Sequence, residues 1–120
     1  MNIEIDKVVD NGSHNVERIE LNVVGNCNLH NYILADTTYT DETHISNKLR
    51  HMYWFLNQNV IAGDKVVIYT KQGKASTELI NGGRNTKYTY YWGLGNSVWN
   101  NTGDAALLFN INTWKTKKVV

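Results

Sequence analysis

Glu17-Arg18-Ile19-Glu20-Leu21-Asn22-Val23-Val24 is the stretch on which the fold turns. Ile19, Leu21 and Val23 occupy alternate positions, with Glu20 and Asn22 between them and Arg18 before them. A period of two marks a strand with one face on a core and the other in water. Gly25-Asn26 ends the run, because both residues tolerate left-handed backbone. Upstream, Ile3 to Val9 puts Ile3, Ile5 and Val9 on one face ahead of a turn at Asp10-Asn11-Gly12-Ser13. Downstream, Leu29 to Ala35 reads as a third strand and Met52-Tyr53-Trp54-Phe55-Leu56 as a fourth. Val60-Ile61 is a short buried piece, and Ala62-Gly63-Asp64 turns the chain into a core strand, Lys65 to Thr70. Lys87 to Trp92 is extended, Gly93 to Asn96 is a break, and Asn101-Thr102-Gly103-Asp104 is a tight turn into Ala105 to Phe109. Asp36 to Lys48 reads as a long polar loop, Ser76 to Ile80 as one helical turn or a second loop or edge, and Thr113 to Val120 as a last strand or a tail. The registers place Ile5, Ile19, Leu21, Ile33, Ile68, Trp99, Leu107 and Phe109 inward.

The rest of the sequence agrees with an all-β chain. Helical periodicity is nearly absent, and with no proline the turns depend on Gly and Asn reaching positive φ. At 120 residues, 42% hydrophobic and 19% charged, the chain is sized for one domain over residues 1–120 with one core. A single cysteine, Cys27, excludes an internal disulfide and reads as a buried structural thiol. No run approaches the roughly 18 apolar residues of a membrane span, and the acidic start Met1-Asn2-Ile3-Glu4-Ile5-Asp6 is unlike a signal peptide. The chain as given is therefore expected to be soluble without membrane insertion, and its localisation stays open. Net charge is +1, yet residues 1–42 hold eight acids against two bases, and residues 43–120 hold ten bases against three acids. Interleaved strands neutralise such an asymmetry across their pairs.

Four blocks, in order, resemble the lamin tail domain family. Glu17 to Asn22 is similar to its second strand, and Leu29-His30-Asn31-Tyr32-Ile33-Leu34-Ala35-Asp36 to the strand that follows. Ala62-Gly63-Asp64-Lys65-Val66-Val67-Ile68 resembles its Pro-Gly-Glu turn and strand. The most specific block is Trp99-Asn100-Asn101-Thr102-Gly103-Asp104-Ala105-Ala106-Leu107-Leu108. Asn31, Tyr32 and Ala62 stand where the family usually has Gly, Trp and Pro. The resemblance implies an immunoglobulin-like antiparallel β-sandwich used for protein contacts, with nucleic-acid or chromatin binding in some members. It implies no catalytic residues, and its bacterial members commonly accompany secreted enzymes as accessory modules.

One tract carries candidate binding chemistry. Arg84-Asn85-Thr86-Lys87-Tyr88-Thr89-Tyr90-Tyr91-Trp92 interleaves cations with aromatics, as a surface that grips phosphates and stacks bases does. Arg84, Lys87, Tyr88, Tyr90 and Tyr91 are the candidate ligand-binding residues. On a strand, however, Tyr88, Tyr90 and Trp92 share one face and Thr89 and Tyr91 the other, so one set belongs to the core. No nucleophile elbow or phosphate loop is present, and Glu17 and Glu20, three apart on a strand, face opposite ways. His44 and His51 lie near Asp36, Asp41 and Glu42 without the spacing of a metal motif, so neither a metal nor a cofactor is expected. The expectation is a non-catalytic module with a protein partner and an open oligomeric state. Its alternatives are a nucleic-acid or carbohydrate binder and an accessory domain of a larger secreted enzyme.

Overall fold

The structure is a computed structural model that describes residues 1–100 and 102–119. Asn101, in the stretch read as a tight turn, and Val120, at the end of the strand or tail, lie outside the described residues. Among the described residues ten strands form: β1 (Ile3–Val9), β2 (Arg18–Val23), β3 (Cys27–Asn28), β4 (Tyr32–Thr38), β5 (Met52–Trp54), β6 (Asn59–Val60), β7 (Lys65–Tyr69), β8 (Ser76–Ile80), β9 (Asn85–Tyr91) and β10 (Asp104–Asn110). They make a five-stranded sheet in the order β1-β2-β7-β9-β8, a three-stranded sheet β10-β4-β5, and a small β3-β6 pair. Ile3, Ile19, Leu21, Val23, Val66 and Ile68 from the larger sheet meet Tyr32, Leu34 and Phe55 on the side of the smaller one, with Leu29, Val60, Val98 and Trp99 filling the ends. Two sheets face to face across a shared apolar layer are a β-sandwich.

Several elements differ from the sequence reading, each for a local reason. Of the two readings of Ser76–Ile80 the helical turn is not found: the segment is an edge strand hairpinned onto β9, through Asn81, Gly82 and Gly83, all at positive φ. The resulting order places β9 between β7 and β8, so β7 and β9 run parallel in an otherwise antiparallel pairing scheme. The third strand starts at Tyr32, because Leu29–Asn31 coils into a 3₁₀ turn whose His30 N–H is capped by the Asn28 side chain at 2.9 Å. That strand runs on to Thr38, into the segment read as loop, and after Asn110 no strand forms among the described residues.

The core expectation holds for Ile19, Leu21, Ile68 and Trp99, all buried. Ile5 sits opposite Leu21 but is 36% exposed, because β1 is an edge strand and its side chain opens onto a cleft shared with Ala106, Leu107 and Leu108. Ile33, Leu107 and Phe109 are only partly buried and point the other way, since Leu34, Ala106 and Leu108 take the inward positions. In runs of consecutive apolar residues nothing in the alternation says which parity faces the core.

Two buried carboxylates tie distant segments. Glu17, fully buried just ahead of β2, accepts from the Gly12 N–H at 2.9 Å, the Val98 N–H at 2.8 Å, the Trp99 N–H at 3.1 Å and the Thr70 hydroxyl. Asp64, after a turn in which Gly63 adopts φ +96°, accepts from the Ile61 N–H at 2.9 Å, the Thr86 N–H at 2.9 Å and the Asn85 side chain at 3.1 Å. It thereby fastens the start of β7 to the start of β9. Asp64→Ala leaves these donors without their acceptor and is expected to cost about 2–3 kcal/mol. Urea titration measures the loss, and amide exchange at Thr86 should accelerate more than at Ile19.

Candidate functional site

The parallel register of β9 against β7 divides the basic-aromatic tract between two faces. Tyr88, Tyr90 and Trp92 turn inward against the core. The Tyr90 ring lies 6.0 Å from Phe55 and 6.4 Å from Tyr53, and burial, with Tyr53 and Tyr88 beside it, pushes its hydroxyl up to about 12. Tyr88 and Tyr90 still reach the rim of a groove of about 300 Å³ formed with Gln58, Ala75, Ser76 and Thr77. Arg84 is exposed in the β8–β9 turn, where its Nε donates to the Asn81 carbonyl at 3.2 Å. Lys87 and Tyr91 alone of the five candidates lie on the outer face of the larger sheet.

On that face they join residues the sequence had not grouped with them. Pairing sets Arg18, Tyr69 and Tyr91 in one row across β2, β7 and β9, Glu20, Val67 and Thr89 in the next, and Asn22, Lys65 and Lys87 in a third. Between the long side chains of the outer rows lies a trough of about 320 Å³ lined by Arg18, Glu20, Lys65, Val67, Tyr69, Lys87 and Thr89. Tyr69 and Tyr91 stack at 5.3 Å with planes 15° apart, and the Arg18 and Lys71 charges lie 5.7 and 5.6 Å from the Tyr69 ring. The backbone at Gly73 rests so closely on the Tyr91 ring that no side chain fits there. Arg18 pairs with Asp10 at 3.2 Å and Glu20 at 3.4 Å, and Lys87 with Glu78 at 3.1 Å. Among the described residues no carboxylate lies within ion-pair distance of Lys65 or Lys71.

A second surface lies on the outer face of the smaller sheet and was missed in the sequence. Its rows are Phe109, Ile33 and Trp54, then Leu107, Ala35 and Met52, with no polar side chain in either. Trp54 is 40% exposed, Met52 53%, and Trp114 from the segment after β10 is 43% exposed. His30 stacks on Trp54 at 4.6 Å, Trp114 stands edge-on to both at 5.0 Å, and the Trp54 indole donates to the His30 carbonyl at 2.8 Å. The available signal was the unbroken apolar run in β4 and β10, which supplies two apolar faces where one covers the core.

Reactive chemistry is sparse. Burial pushes the Cys27 thiol up, and the His30 ring is turned to the Phe55 carbonyl, to which its Nδ1 donates at 2.8 Å. Asp36 pairs with His51 at 3.1 Å and Asp41 with His44 at 3.0 Å, as two separate pairs. Among the described residues no three His, Cys, Asp or Glu side chains converge as a metal would require. No helix of the described residues is long and apolar enough to cross a membrane. No protein-family model matches the chain, and a search of curated proteins finds no match either.

Proposed function

We propose that the chain is a non-catalytic binding module, an immunoglobulin-like sandwich of the lamin tail kind, that contacts another protein through the outer face of its three-stranded sheet. The observation that carries this reading is the pair of partly exposed indoles, Trp54 and Trp114, packed on each other and on His30, with Trp54 in one row with Ile33 and Phe109. Tryptophan and methionine are enriched where protein interfaces concentrate binding energy, and a fixed indole loses little conformational freedom on docking. Base stacking in the Arg84 to Trp92 tract is less well supported: Tyr88 and Tyr90 are turned to the core, and Tyr91 lies between Tyr69 and the Gly73 backbone.

The test places a photo-cross-linking residue at position 52 in the full chain and irradiates it in extract of the cells that make it. One defined protein adduct is expected. It should fall at least tenfold in Trp54→Ala and in Trp114→Ala, the loss of about 1.4 kcal/mol or more that marks an interface anchor. Leu79→Ala, on the far edge strand β8, should leave it unchanged. Adducts spread over many proteins, or one indifferent to both tryptophans, would remove the basis for the reading.

A further inference from the structure

The trough on the opposite side of the molecule is a separate surface with different chemistry. It spans β2, β7 and β9, about 10 Å at the spacing of neighbouring strands, and its two walls stand four residues apart along each strand, about 13 Å. Val67 and Thr89 make a low floor between them. One wall ends in Lys65 and Lys87, direct neighbours across a parallel pair, and like charges so placed repel. Glu78 pairs with Lys87 alone, so among the described residues this end of the trough keeps one positive charge without a carboxylate. The other wall offers Arg18, fixed between Asp10, Glu20 and the Tyr69 ring, and therefore ordered before any ligand arrives. Glu20 and Thr89 add acceptors and a hydroxyl between the cations.

This combination discriminates among anionic ligands. A single-stranded nucleic acid stacks its bases on open ring faces, but the Tyr69 and Tyr91 faces are engaged with each other, with Arg18 and with Gly73. Its continuous phosphates would also run beside Glu20 and Glu78. A uronic-acid sugar differs: it carries one carboxylate per ring, and its hydroxyls take both donors and acceptors. We propose that the trough binds a uronic-acid-containing saccharide, with a carboxylate between Lys65 and Lys87 and hydroxyls on Arg18, Glu20 and Thr89.

Calorimetry and amide chemical-shift mapping on the full chain test this with four probes: tetragalacturonate, a heparin tetrasaccharide, neutral cellotetraose and oligothymidylate. Binding of one or both acidic saccharides is expected, with shifts centred on Lys65, Val67, Lys87 and Thr89 and none at Trp54. Cellotetraose should bind at least tenfold more weakly than they do. Lys65 is exposed, so Lys65→Gln should keep the melting temperature of the parent while weakening the acidic saccharide about tenfold, the worth of one charge-assisted contact. Lys115→Gln, a charge change in the C-terminal segment, should have no effect. The proposal is overturned if neither acidic saccharide binds at millimolar concentration, if oligothymidylate binds as tightly as they do, or if Lys65→Gln and Lys115→Gln behave alike. None of these outcomes bears on the tryptophan face.

Discussion

Glu17→Gln is expected to lower the stability of the domain by about 3 kcal/mol at pH 7, and its melting temperature by about 10 °C. Burial alone would push the Glu17 carboxyl up. Hydrogen bonds from Thr70, Val98, Gly12 and Trp99 outweigh it and leave the group below the usual glutamate range. An amide is isosteric but offers one acceptor oxygen, and turns its own N–H groups toward donors that need an acceptor. The same network sets a pH dependence with a definite sign. A carboxyl whose folded pKa is depressed contributes stability that is fully present above the unfolded value, about 4.3, and is lost as the pH falls through the folded value. Urea titrations of the parent at pH 7, 4 and 3 should therefore show a drop that is smaller in the glutamine variant. A variant as stable as the parent at pH 7 would mean that water, not this carboxylate, satisfies the four donors.

Trp99→Ala is expected to cost about 4 kcal/mol. The side chain is buried against Trp92 at 5.8 Å, and its indole N–H donates to the Ala105 carbonyl at 3.2 Å, where the chain enters β10. Truncation thus opens a cavity at the end of the sandwich and frees the carbonyl that starts the last strand. Trp99→Phe separates the contributions: it keeps most of the ring volume, loses the hydrogen bond, and should cost about half as much. Because the Trp99 backbone N–H also donates to Glu17, the double variant Glu17→Gln/Trp99→Ala should fall short of the sum of its parts by about 1 kcal/mol. Strict additivity in equilibrium unfolding would argue that the two sites are independent.

Much of the larger sheet was legible because its strands announce themselves locally. Ile19, Leu21 and Val23 alternate with polar neighbours, and Ala62-Gly63-Asp64 marks the turn before β7. The smaller sheet was legible in position but not in orientation, since Ile33-Leu34-Ala35 and Ala105 to Phe109 are apolar at every step. Ser76–Ile80 reads equally as a helical turn or an edge because its partner strand follows it, and the short segment carries no core alternation: its side chains are exposed except for a half-buried Ile80. The role of Glu17 was hidden by distance, its partners Thr70 and Val98 lying 53 and 81 residues away. Of the trough, Lys87 and Thr89 lie within the tract singled out in the sequence. The rest, Arg18, Glu20, Lys65, Val67 and Tyr69, depends on which strands become neighbours, and no local pattern encodes that. Trp54 and Trp114 likewise meet only through the path of the chain after β10.

The order of the strands along the chain also dictates an order of birth. Every member of the five-stranded sheet precedes residues 104–110 in the chain and so emerges from the ribosome before the strand that completes its cover. A growing chain can therefore zip β1, β2, β7, β9 and β8 together while the apolar side of that sheet is only partly roofed by β4 and β5. Trp99 and β10 arrive last, as the lid of a box already built. During that interval the nascent protein has an exposed apolar surface of the kind that holdase chaperones recognise.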